Sequence, residues 1–247
     1  MDNLKNLLEN EIKQKDFYKV NNDNPDPILI AKQYKEEKIS LICSLFAYGK
    51  ASLIVKFLQK IDFNILNESD SEIKKYFQNF KYRFQTSEDI AQFFITLKRI
   101  DNLEELFLKG YKKNNFVIDG IDAILEEFQK VNNFNSHGYK FLISNRFPNK
   151  TKGISPYKRW NMFLRWMVRK DEIDFGLWRK IETKNLIIPL DTHTFNVSKK
   201  LGLLHRKTYD LESAILLTNK LKEFDPNDPV KYDFAIYRMG QNKFIST

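Results

Sequence analysis

With 247 residues, 42 % of them hydrophobic and 14 % aromatic, the chain has enough apolar surface to build a core, which excludes a disordered polypeptide. Its 8 glycines and 7 prolines amount to about half the usual share of roughly 12 %, which argues against turn-rich sandwiches and barrels and for an all-α protein. The 41 basic and 32 acidic side chains leave a net +9, a balance suited to a polyanion such as nucleic acid, although the joint abundance of Lys, Asn, Ile and Phe is also what AT-rich codon usage produces.

The first residues, MDNLKNLLENEIKQKDF, read as a polar helix without the apolar stretch of a secretion signal. No later run reaches the roughly 18 apolar residues of a membrane span, so a soluble cytoplasmic protein with no membrane partner is expected. Asn21 to Pro27 (NNDNPDP) is a turn, and a helix starts there. Ile39 to Ile61 reads as two apolar helices broken at Tyr48-Gly49-Lys50, with Gly49 free to take a left-handed conformation. Within it Cys43 is the only cysteine, so an internal disulfide and multi-cysteine zinc or iron–sulfur sites are excluded. Glu68 to Phe128 continues as amphipathic helices with joints near Thr86-Ser87, Asp101-Asn102 and Asn114-Asn115. Val131 to His137 and Pro148 to Pro156 are the clearest breaks, flanking a short helix from Tyr139 to Phe147. A helix from Tyr157 to about Lys170, an apolar connector LIIPLD (Leu186 to Asp191) and helices from Thr192 to Leu201 and Asp210 to Phe224 follow. After DPNDPVK a last helix ends near Met239, and no internal repeat is present.

Chemistry concentrates in the last hundred residues. Ser155-Pro156-Tyr157-Lys158 reads as a helix start, with Ser155 as N-cap and Pro156 in the first turn. On this helix Trp160, Phe163, Leu164, Met167 and Val168 share a core face, whereas Lys158, Met162, Arg165 and Arg169 share the opposite face, expected to be a largely cationic stripe. The helix dipole opposes a cation at Lys158 by about 0.3–1 kcal/mol. An amine held there without its proton would be a nucleophile; a solvated lysine on a basic face tolerates the same misfit. Asp191, just ahead of Thr-His-Thr-Phe, suits a helix N-cap and also a carboxylate placed beside developing positive charge or a nucleophile's proton. The two roles are compatible. A phosphohydrolase would have Asp171, Asp174, Asp191 and His193 to draw on, but their spacing matches no metal site, so neither metal nor other cofactor is expected.

The run Pro189-Leu190-Asp191-Thr192-His193-Thr194, continued to Leu201-Gly202-Leu203, resembles the V-D-T-H-V-x-R…L-G-L signature of the helix-hairpin-helix DNA glycosylases, in which the Asp is catalytic. Ile39 to Ile61 resembles their early helix–loop–helix, and Lys231 to Gly240 (KYDFAIYRMG) resembles their late N-x-A-L-M-D-L-G helix. More closely, KRWNMFLRWMVRKDEIDFGLW, LIIPLDTH and FDPNDPVKYDFA resemble a bacterial family catalogued as a domain of unknown function, from Asn24 onward. The usual L-P-G-V-G-x-K hairpin is altered to Gly153-Ile154-Ser155-Pro156-Tyr157-Lys158, and Asp191 follows Lys158 by 33 residues. A similarly long insertion and altered hairpin make the archaeal 8-oxoguanine glycosylases the nearest analogue.

The resemblance implies a single two-lobed helical domain over residues 1–247 with a cleft between its lobes. The hairpin and following helix would occupy 148–170, and the catalytic-Asp connector and helix 186–201. It implies a base-excision-repair enzyme, a DNA N-glycosylase with AP-lyase activity, acting as a monomer on damaged double-stranded DNA in the cytoplasm, at the nucleoid, with 8-oxoguanine the first substrate to test. Lys158 would be the Schiff-base nucleophile and Asp191 the electrostatic partner. Tyr48, Gly49 and Lys50 would probe the duplex; Lys150, Lys152, Gly153, Ser155, Arg165, Arg169 and His193 would hold it. Trp166, Trp178 and Phe234 would line the base pocket, while Trp160 falls in the core stripe. A non-catalytic helix-hairpin-helix DNA-binding protein is the alternative.

Overall fold

The structure, a computed structural model, describes residues 2–13 and 25–241. Among them every regular element is helical: α1 (Asp2–Ile12), α2 (Ile28–Tyr34), α3 (Glu37–Leu45), α4 (Ala51–Leu58), α5 (Asp70–Phe77), α6 (Ser87–Lys98), α7 (Leu103–Tyr111), α8 (Val117–Val131), α9 (His137–Ile143), α10 (Lys158–Val168), α11 (Thr192–Lys200), α12 (Leu211–Lys222) and α13 (Asp233–Gln241). The helices fall into two compact units, one of residues 21–148 carrying α2 to α9, the other of residues 1–20 and 149–247 carrying α1 and α10 to α13. Among the described residues no helix is long and apolar enough to cross a membrane. The expected turn at Asn21 to Pro27 lies outside the described residues as far as Asn24.

In the unit of residues 21–148 the joints lie where polar residues place them. Thr86 caps α6 in a reciprocal box with Asp89, and Asn102 caps α7. The Tyr48-Gly49-Lys50 break separates α3 from α4, with Gly49 at φ +107°. Leu41, Phe46, Phe77, Phe93, Phe94 and Phe128 are buried, as is Cys43, whose thiol burial pushes upward. α7 and α8 approach closely at two glycines: a Cβ on Gly110 would lie 2.0 Å from the Asp119 carbonyl oxygen, and one on Gly120 2.4 Å from the Phe107 ring.

Two features depart from expectation here. The helix expected to reach Phe147 stops at Ile143, because the Asp122 carboxylate accepts the Arg146 guanidinium at 3.0 Å and the Phe147 N–H at 2.7 Å, holding that segment out of helical conformation. Between α5 and α6 the chain makes a tight turn in which Tyr82 and Gln85 exchange backbone hydrogen bonds of 3.3 and 2.9 Å.

In the unit of residues 1–20 and 149–247, α10 buries Trp160, Phe163, Leu164 and Met167, and α12 buries Leu211, Ala214, Leu217 and Leu221. α1 is tied to the C-terminal segment through Glu9, which accepts from Tyr232 Oη at 2.5 Å and pairs with Lys231 at 2.9 Å. α11 packs on α13, where Gly240 leaves room for His193 and Val197; a Cβ would come within 2.4 Å of both.

Candidate functional site

Asp191 is placed by the connector before it. Leu186 to Leu190 is a buried, non-helical segment, fixed where Ile188 N–H donates to Thr218 Oγ1 (3.0 Å) and where Tyr209 Oη donates to the Leu190 carbonyl (3.0 Å). Asp191 then caps α11, its Oδ1 accepting the Thr194 N–H at 2.8 Å. The second oxygen, Oδ2, lies 3.7 Å from Lys158 Nζ, and both side chains remain 30 % exposed. The cap and the lysine contact thus use different oxygens of one carboxylate. Burial, aided by the negative charge of Asp191, pushes the Tyr209 phenol up to about 12.

Lys158 is the first residue of α10, one residue beyond the expected start at Tyr157. Tyr157 takes a left-handed conformation (φ 50°) and Asn161 Nδ2 donates to the Pro156 carbonyl at 2.9 Å, so the chain turns at Pro156-Tyr157 before it becomes helical. Ser155 Oγ accepts the Tyr157 N–H at 3.4 Å instead of capping the helix. Lys158 begins one helix and Asp191 caps another, so two positive helix ends lie beside an accessible amine and carboxylate. Helix ends of this kind favour a bound anion.

The expected cationic stripe is an internal ion-pair network. Arg165, 4 % exposed, donates to Asp174 at 3.3 Å and to Asp233, and its guanidinium lies 4.7 Å from the Phe234 ring centroid. Arg169 donates to Asp228 at 2.8 Å, to Asp174 at 3.0 Å and to Asp171. Four carboxylates from the loop after α10 and from residues 228–233 absorb both guanidinium groups, which corrects the expectation that Arg165 and Arg169 meet DNA phosphates. Burial pushes the Asp233 carboxyl up to about 6 against the pull of Arg165; the charge of Asp191 adds to the rise and that of Lys158 opposes it. Asp233 was not singled out by sequence, because it gains this role only when α13 packs near α10.

Other expected contacts also resolve into packing. Trp166 and Trp178 are buried, Trp178 edge-on to Phe163 at 5.2 Å, which corrects their placement on an open base pocket; Phe234 is half-buried under Arg165. His193 joins α11 to α13, its Nε2 3.1 Å from the Tyr237 carbonyl oxygen. Gly153, at φ +72°, donates its N–H to Asp210 Oδ2 at 2.9 Å, so that amide is not offered to a phosphate as expected. The same loop accepts the Leu211 and Glu212 amides on Ile154 O (3.0 Å) and Thr151 O (3.1 Å), stitching it to the start of α12. Burial works against the Asp210 carboxylate, but Arg206 and the Gly153 and Ser213 amides outweigh it and hold its pKa down at about 2. Lys150, Lys152 and Ser155 are exposed on this loop.

In the unit of residues 21–148, Tyr48 is half-buried, its hydroxyl bonded to Gln85 Oε1 and its ring 5.1 Å from Tyr82 and 5.0 Å from Phe141. Gly49 and Lys50 are exposed. Phe84 and Phe141, which sequence reasoning passed over, share the cluster.

These features define an all-α chain of two helical units with a lysine–aspartate pair at two helix N-termini. Residues 26–242 match the family described as Protein of unknown function (DUF2400), and the chain belongs to it. Comparison with curated proteins and with solved structures finds no match.

Proposed function

We propose that the chain is a DNA N-glycosylase with AP-lyase activity that excises a damaged base, with 8-oxoguanine the first candidate, from double-stranded DNA. The observation that carries this reading is the 3.7 Å approach of Lys158 Nζ to Asp191 Oδ2, at residues placed 33 apart in a sequence resembling the helix-hairpin-helix glycosylases. A base inside a duplex is reached only after its nucleotide is flipped out, at a cost of a few kcal/mol. Lys158, after yielding its proton to solvent, attacks C1′ of that nucleotide as the neutral amine while Asp191 stays a carboxylate; the bond from C1′ to the base breaks, and the base leaves with the electron pair and takes up a proton from water. The carboxylate also faces the positive charge that builds on the sugar as this bond lengthens. Ring opening leaves a Schiff base between Nζ and C1′, and β-elimination then breaks the bond from C3′ to its phosphate.

Asp191 keeps its orientation because its other oxygen is committed to the cap, which supports an electrostatic role prepared before substrate arrives. Contacts to the backbone fall to exposed groups such as Lys150 and Lys152, with the altered hairpin at 148–170 doing less amide binding than its relatives by resemblance. The protein acts as a monomer in the cytoplasm. The test is release of the base from duplexes bearing 8-oxoguanine, uracil, hypoxanthine or an alkylated adenine. Release of one of them, lost in Lys158→Gln and in Asp191→Asn, is expected; release unaffected by both substitutions would contradict the proposal.

A further inference from the structure

The unit of residues 21–148 carries an aromatic surface that the proposed chemistry does not use. Phe84 is 44 % exposed and Phe141 39 % exposed, and their rings lie edge to face at 4.8 Å. Tyr48 sits 5.0 Å from Phe141, and His137 lies 5.7 Å from Phe84 on the other side. Side chains this apolar, grouped and left facing solvent are uncommon on a monomeric protein and mark contact surfaces.

The surface is held rigidly from below. Tyr82 is buried, and its hydroxyl donates to the carbonyls of Phe46 (3.0 Å) and Tyr48 (2.8 Å). Gln85, also buried, accepts from Tyr48 Oη and donates through Nε2 to the Gly138 carbonyl at 3.3 Å. Three segments that are distant in sequence are thereby locked into one platform before any partner arrives. The tip of the 82–85 turn, Arg83 and Phe84, is raised on that base; Arg83 adopts φ 54°, a left-handed conformation that a non-glycine residue takes at a cost.

Charge selects the partner. Lys50, Lys81, Arg83 and Lys140, all exposed, belong to the same three segments, and the segments 48–50, 81–85 and 137–141 contain no acidic residue. The Arg83 guanidinium lies 5.7 Å from the Tyr48 ring centroid. Exposed aromatic rings on segments that carry cations and no carboxylate suit a strand of nucleic acid whose bases are unpaired, the rings stacking on bases and the cations pairing with phosphates. A protein or membrane partner would gain nothing from so one-sided a positive charge unless it were polyanionic, as a nucleic-acid strand is.

We propose that this surface is a stacking platform for unpaired bases of single-stranded nucleic acid. It goes beyond the proposed base excision, since strand binding here requires neither Lys158 nor Asp191. The test is fluorescence anisotropy of the full chain with a labelled single-stranded oligothymidylate at several salt concentrations. The double variant Phe84→Ala/Phe141→Ala is expected to bind about tenfold more weakly per ring removed, Phe84→Trp to stay within about twofold of the parent, and Lys140→Glu to weaken binding and flatten its salt dependence. Lys158→Gln is expected to bind the strand as the parent does, so loss of base excision and loss of strand binding are separable. Because both phenylalanines are largely exposed, their removal is expected to leave the melting temperature within a few degrees; Lys140→Glu is read if it does not. The proposal is overturned if the parent fails to bind the oligonucleotide, or if the double variant binds within about twofold of it. It is equally overturned if sedimentation shows the parent as a dimer that the double variant dissolves, since the rings would then cover a second copy.

Discussion

Asp191 caps α11 with one oxygen and faces Lys158 with the other, and substitution separates the cap from the proposed catalytic role. Asn caps a helix as well as Asp does, so Asp191→Asn is expected to keep its melting temperature while losing about 10²- to 10⁴-fold in base-release rate. Asp191→Ala is expected to lose activity and in addition about 1 kcal/mol of stability. Equal activity in Asp191→Asn and the parent would reduce the residue to a cap. Asp210 offers a pH signature without chemistry. Its ordinary value of 3.8 falls to about 2 in the fold, so its contribution to stability is complete above about pH 4 and disappears as pH drops through about 2. Asp210→Asn is expected to melt lower than the parent at neutral pH and to converge with it near pH 2, by chemical denaturation across that range. The Asp191 cap was legible in the residues themselves, as was the choice of Lys158 and Asp191 as candidates. Their distance was not, because most of a helix, a loop and a connector intervene, and the connector is fixed by hydrogen bonds to Thr218 and Tyr209, further along the chain.

At the scale of elements, polar caps and apolar periodicity placed most of the helices. The joints at Thr86, Asn102 and Gly49 were readable since each carries a side chain, or lacks one, in a way that ends or begins a helix. The Arg83-Phe84 turn was not readable, for no Gly, Pro or Asn marks its tip; the buried Tyr82 and Gln85 that close it are held by the distant Phe46, Tyr48 and Gly138 carbonyls. The cationic stripe on α10 failed for a related reason. Helical spacing aligned Arg165 and Arg169 correctly, but the carboxylates that bury them come from residues 171–174 and 228–233, beyond the reach of periodicity. Gly110 tests the packing directly. With the Asp119 carbonyl 2.0 Å from any added Cβ, Gly110→Ala is expected to destabilise by about 1–3 kcal/mol despite the better helix propensity of alanine, read by urea unfolding. A neutral or stabilising result would mean that α7 and α8 sit further apart.

For the whole molecule, a net +9 is spent unevenly. Arg146, Arg165, Arg169 and Arg206 answer internal carboxylates, whereas Lys50, Arg83, Lys140, Lys150 and Lys152 are surface cations on two separate units. Duplex binding is therefore expected to weaken steeply with salt, by at least about tenfold between 50 and 200 mM, while Arg165→Gln disturbs folding more than the salt slope. A flat salt response would assign the surplus charge to composition alone. Borohydride trapping on duplexes carrying 8-oxoguanine or an abasic site, with the adduct mapped by proteolysis, tests whether Lys158 is the proposed nucleophile toward damaged DNA. A covalent complex whose modified residue is Lys158 and which Lys158→Gln does not form is expected; no complex with any duplex, or an undiminished complex in Lys158→Gln, would contradict this role.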